Sequence, residues 1–154
     1  MGSEVPQERR IVVGVDGSPS SRQALRWAVE QARVTRGVVE AVTAWEYPAT
    51  YGWSVPVEPG GLAQAAGHAL ADTVAEVVGA DRPVEIRERV QCGNAAQVLL
   101  EAAQEADLLV VGSRGHGGFT GALLGSVGQH CVQHAPCPVV VVRHGRDERA
   151  GRAR

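Results

Sequence analysis

The chain has 154 residues, 44% of them hydrophobic and 21% charged, with a formal net charge of −2, a balance that fits one soluble folded domain and leaves little room for a second. All 15 basic residues are arginine, which excludes Schiff-base and pyridoxal phosphate chemistry and the lysine-bearing phosphate loop G-x-x-x-x-G-K-[ST]. The charge balance argues against a general polyanion binder, and aromatic residues at 4% argue against a base-stacking platform for single-stranded nucleic acid.

No apolar run approaches the roughly 20 residues that span a bilayer, and the first ten residues lack the apolar core of a signal peptide; a cytoplasmic protein without membrane contact is the expectation. Cys92, Cys131 and Cys137 are an odd number without a CxxC pair, poor material for a disulfide framework. Residues 1–8 are expected to be a flexible start, 9–143 a single domain, and 144–154 a flexible arginine-rich tail.

A β-branched run at 11–15 ends at Asp16-Gly17-Ser18, which carries turn chemistry, and predicts a buried first strand. Ser18-Pro19 places a cap and a first-turn proline before Ala24, Leu25, Ala28, Val29 and Ala32, which recur on one helical face to an end near Gly37. Residues 38–45 read as a second strand. The stretch 47–61, with three prolines and three glycines, is expected to hold no regular element. A second helix is predicted over 62–78, and 84–90 alternates as a strand does.

The second half repeats this grammar. Asn94 stands three residues before Gln97, a variant of the capping box, ahead of the apolar stripe Val98, Leu99, Ala102 and Ala103. Residues 107–112 form a strand apolar on both faces. After a glycine-dense loop, Ser126 stands three residues before Gln129 as the predicted cap of a last helix, stopped by Pro136 and Pro138, and 139–142 is the last strand. The alternation of continuous apolar strands with helices predicts an α/β fold: a doubly wound, open, five-stranded parallel sheet, Rossmann-like, with helices on both faces. Val-Val-Gly ends the strand at 12–14 and again at 110–112; side by side, those strands would open the crevice where such sheets bind ligands.

Six glycines fall within the fifteen residues 112–126, between a buried strand and a helix start. A plain connector does not need that backbone entropy. Glycines let main-chain N–H groups approach phosphate oxygens, the helix start presents free donors and a partial positive charge, Ser126 adds a hydroxyl, and Arg114 and His116 offer side-chain donors. This describes a phosphate cradle in which backbone amides carry most of the contact.

The spacing Gly112-x2-Gly115-x9-Gly125-Ser126 resembles the nucleotide-binding signature G-x2-G-x9-G-[ST] of the ATP-binding subgroup of the universal stress protein family. The resemblance covers residues 9–143 and extends to Asp16-Gly17-Ser18, the strand end Val42-Thr43-Ala44-Trp45, the helix start Gly93-Asn94-Ala95 and the final Pro-Val-Val-Val-Val. Asn94 departs from it, standing where many members have proline. The resemblance implies that Asp16 lies near ribose and phosphates, that Ala44 meets adenine through main chain, that Gly112 and Gly115 form the ribose and phosphate turn, and that Gly125, Ser126 and Val127 form the phosphate-binding helix start. Gly14, Val15 and Val111 complete the candidate site at the strand ends. It further implies ATP as ligand, with or without Mg²⁺, a homodimer through the last strand, Val139–Val142, and stress signalling through an unknown partner rather than catalysis.

Two other readings stay open: an Mg²⁺-dependent ATP hydrolase or phosphotransferase using Asp16 and His116 in the same pocket, and a nucleotide-free interaction module in which the glycines serve only a turn. His130, Cys131, His134 and Cys137 have zinc-like spacing but read as helix packing, with no metal site expected. Cys92, Trp27 and Trp45 read as core or packing residues. Tyr47, Tyr51 and Trp53 in the Pro/Gly loop are candidates to gate the pocket or to meet a partner.

Overall fold

The computed structural model describes residues 8–47, 59–114 and 124–143. In chain order the elements are β1 (Arg10–Gly14), α1 (Pro19–Thr35), β2 (Val38–Trp45), α2 (Pro59–Val78), β3 (Ile86–Cys92), α3 (Ala95–Ala102) followed by a 3₁₀ turn (Ala103–Glu105), β4 (Leu108–Gly112), α4 (Ser126–His134) and β5 (Val139–Val142). All strand pairings are parallel, in the order β3-β2-β1-β4-β5. The expected doubly wound fold is therefore the observed one, and β1 and β4 are neighbours.

Alternation along β1 divides the core between the two faces. Ile11, Val13 and Val15 pack with Ala24, Leu25 and Ala28 of α1 and Leu70 and Val74 of α2. Val12 points the other way, to Val98 and Leu99 of α3 and Cys131 of α4. Val12, Val13, Val39 and Val110 have no accessible surface; each such side chain contributes on the order of 1.5–3 kcal/mol.

The helix starts follow local chemistry. Ser18 caps α1, its Oγ accepting from the Ser21 amide at 3.3 Å, with Pro19 in the first turn. Asn94 caps α3, its Oδ1 accepting from the Gln97 amide at 3.2 Å. Several expectations are corrected. Pro59 to Gly61, assigned to a loop, open α2, because a first-turn residue needs no N–H partner and the two glycines lie in an exposed turn. The third strand lies two residues later than expected, since its register is set by β2: Ile86 pairs with Val39 and Cys92 with Trp45. The first strand runs one residue earlier than expected, and the fourth begins one residue later. Cys92 is exposed rather than core, and Trp27 retains 36% of its surface.

The two sheet edges differ in chemistry. On β3 and its flank, Arg87 pairs with Glu85 at 2.7 Å and with Glu8 at 3.1 Å. Glu40 of β2, 12% exposed, takes Arg10 at 2.5 Å and Arg89 at 3.7 Å. The opposite edge, β5, is four valines, all partly buried.

Candidate functional site

A cavity of about 320 Å³ opens at the carboxyl ends of β1 and β4, lined by Gly14, Val15 and Asp16 after β1, Val42 and Ala44 of β2, Ala95 and Leu99 of α3, Val111, Gly112 and Arg114 after β4, and Gly125 to Gly128 at the start of α4, with Ser21 of α1 beneath Asp16. Its position is the topological switch point, where the chain leaves neighbouring strands toward opposite faces. Of the predicted site residues, Gly14, Val15, Asp16, Ala44, Val111, Gly112, Arg114, Gly125, Ser126 and Val127 meet here. Gly115 and His116 lie outside the described residues, as do Tyr51, Trp53 and the tail.

The β1 wall is built by a turn in which each serine has a task. The exposed Asp16 carboxylate accepts from the Ser18 amide through Oδ1 at 2.9 Å, and the Asp16 amide donates to Ser21 Oγ at 3.2 Å. Asp16 is thus a turn residue and a wall of the cavity at once; its Oδ1 bond fixes the carboxylate without burying it.

The β4 wall is held at both ends of the glycine-rich segment. Ser113 donates its amide to Val142 O at 2.8 Å and accepts from the Gly125 amide at 2.7 Å. A Cβ on Gly112 would stand 2.7 Å from the Ser20 carbonyl carbon and 2.8 Å from the Ser21 nitrogen. Gly112 is therefore required by the close approach of α1 to β4, a packing reason that the ligand-centred reading of this glycine did not include. At Gly14 a Cβ would meet only the terminal methyl of Leu99 at 2.8 Å, which a rotation of that side chain can relieve.

The cap of α4 is Gly125, not the predicted Ser126, which is the first helical residue. Gly125 has extended backbone angles and no side-chain cap bond, and its carbonyl accepts from Gln129 at 2.9 Å. The first-turn amides of Ser126, Val127 and Gly128 precede any intrahelical partner and belong to residues that line the cavity. They supply N–H donors and the positive end of the helix dipole, suited to an anion. Val42, Ala44, Ala95 and Leu99 give the same cavity an apolar lining, suited to a flat ring.

Ser21, Val42, Ala95, Leu99 and Gly128 were not predicted. Val42 was legible as the same-face neighbour two residues before Ala44, and Ala95 and Leu99 as the start and the apolar stripe of the helix already read after Gly93-Asn94. Ser21 and Gly128 carried no separable signal. The His130 and His134 rings lie 4.6 Å apart on the exposed side of α4, whereas Cys131 is buried and burial pushes its thiol up to about 11; the zinc-like spacing thus splits between two sides of one helix.

Fold and site together define a Rossmann-like α/β protein with a switch-point cavity. The model of the universal stress protein family matches residues 8–143, and the chain belongs to that family. A universal stress protein of Mycolicibacterium smegmatis is 40% identical over 136 residues, which are 86% of this chain and 45% of that protein. The chain spans about half the length of the curated relatives it matches. Among solved structures, a universal stress protein in complex with cAMP is 28% identical with a TM-score of 0.64, over 90% of this chain and 98% of that one. A family member from Arabidopsis thaliana with AMP bound, 20% identical with a TM-score of 0.60 over 91% and 94% of the two chains, shares the fold. Among the described residues no helix is long and apolar enough to cross a membrane.

Proposed function

We propose that this chain binds an adenine nucleotide, ATP, and acts as an adenine-nucleotide-responsive stress-signalling dimer in the cytoplasm rather than as an enzyme. The observation that carries the reading is the first turn of α4, without a side-chain cap among the described residues, opening on a cavity also lined by apolar Val42, Ala44, Ala95 and Leu99. In this reading the phosphates take the amides of Ser126, Val127 and Gly128, with Mg²⁺ accompanying them. Asp16 accepts from ribose hydroxyls, and the base lies against Ala44 and Val42. The cAMP and AMP complexes of related proteins support the ligand class. Dimerisation is assigned to the all-valine edge β5, whose unpaired backbone groups are a template for a second copy.

Thermal shift with ATP, ADP, AMP and cAMP, with and without Mg²⁺, tests the binding, because a ligand that binds only the folded state raises its melting point. ATP is expected to give a rise, and Asp16→Ala to remove most of it while the free protein still melts cooperatively. An unchanged rise in Asp16→Ala overturns the placement of the ribose, and no rise with any nucleotide overturns the reading itself. For the dimer, Val141→Asp is expected to move sedimentation from dimer to monomer; a wild-type monomer at micromolar concentration overturns that part.

A further inference from the structure

We infer that Ser20, which does not line the cavity, is the positioning residue that fixes the mouth of the glycine-rich segment for nucleotide binding; this rests on the reading above. Ser20 is 3% exposed, in the first turn of α1. Its Oγ donates to Arg114 O at 2.5 Å and accepts from the Arg114 amide at 3.2 Å, so one hydroxyl holds both polar groups of a single peptide-chain residue 94 positions away. Ser18 Oγ adds a longer contact to the same carbonyl at 3.4 Å. The backbone beneath has almost no freedom to shift, because Gly112 lies against Ser20 with no room for a Cβ.

The same turn of α1 governs the other wall. Ser18 and Ser21 fix Asp16 through its Oδ1 and its amide, while Ser20 fixes Arg114. The two walls are thereby tied to one rigid helix end, and the ligand meets a preset spacing rather than ordering it on arrival, which lowers the cost of binding. Arg114 stands two residues past the end of β4 and lines the cavity, so a release there loosens that part of the wall. An apolar residue at position 20 would take the acceptor from the Arg114 amide and leave its carbonyl only the longer Ser18 contact, while replacing no side chain that lines the cavity.

The test uses the full chain with Ser20→Ala and the near-isosteric Ser20→Cys, whose thiol is a weak donor and acceptor. Calorimetric titration with ATP, AMP and cAMP gives the affinity, and amide hydrogen exchange gives the local opening. For the tightest-binding nucleotide, Ser20→Ala is expected to raise Kd about tenfold, as loss of a buried hydrogen bond does, and Ser20→Cys to fall between. Exchange at the Arg114 amide is expected to quicken while Val110 and Val111 stay protected. An unchanged Kd with a lowered melting point makes Ser20 a packing residue and overturns the inference. Should the wild-type chain bind none of the three nucleotides, the nucleotide reading fails separately; unchanged exchange at Arg114 in Ser20→Ala then overturns the latch as well, and quickened exchange upholds it.

Discussion

Two helices begin at the rim of the same cavity, and they begin differently. α3 follows Asn94, whose side chain accepts from the Gln97 amide, whereas α4 follows Gly125, which has no side chain to offer. Both caps have extended backbone angles, and both first turns contribute lining residues. Asn94 takes the Gln97 amide for the cap of α3, whereas among the described residues no cap side chain takes an amide of the first turn of α4; the proposed function gives those amides to the phosphates.

The strongest way to break this contrast is to give α4 a cap of its own. Gly125→Asp places a carboxylate where a phosphate is proposed, on backbone angles that any residue adopts. Titration with ATP is expected to show affinity reduced by more than about 100-fold through competition and charge repulsion, while the free protein gains a few tenths of a kcal/mol. Undiminished affinity would show that the phosphates lie elsewhere. The converse change, Asn94→Ala, is expected to cost about 1 kcal/mol in denaturant unfolding and to leave nucleotide affinity unaltered; a matching loss of affinity would erase the distinction between the two helix starts.

The smallest effect sharpens the contrast with natural probes. Cys92 is exposed two residues before Asn94, and Cys131 is buried within α4. Peptide-resolved alkylation at pH 8 is expected to label Cys92 at once and Cys131 slowly, since burial holds the Cys131 thiol up to about 11 and keeps it protonated. Nucleotide should slow Cys131 further and leave Cys92 alone. Equal slowing at both would point to global stabilisation rather than to α4.

Much of this was legible because the signals were local. The bounds of β2 and β5 follow from apolar runs between breakers, the Asn94 cap follows from its spacing to Gln97, and Gly112 and Gly125 of the glycine-rich stretch marked part of the cavity lining. What escaped depended on distant partners. The register of β3 is imposed by β2, and α2 reaches back to Pro59 because first-turn residues tolerate proline and glycine alike. Gly112 is glycine for the sake of Ser20, 92 positions away, a contact that no spacing rule along the chain reveals. Ser126 and Gly125 exchanged roles because serine is the common cap, and only the backbone angles distinguish the residue before the helix from the first one within it.

The contrast between the sheet margins bears on how many copies can join. Ionic pairs fringe the β3 side, so bringing two such margins together would strip water from Arg87, Glu85 and Glu8 with little in return. The valine margin carries no such toll. Under the dimer reading proposed above, one such border recruits a single mate before it is used up, which would favour closed pairs over the head-to-tail growth that ends in fibres.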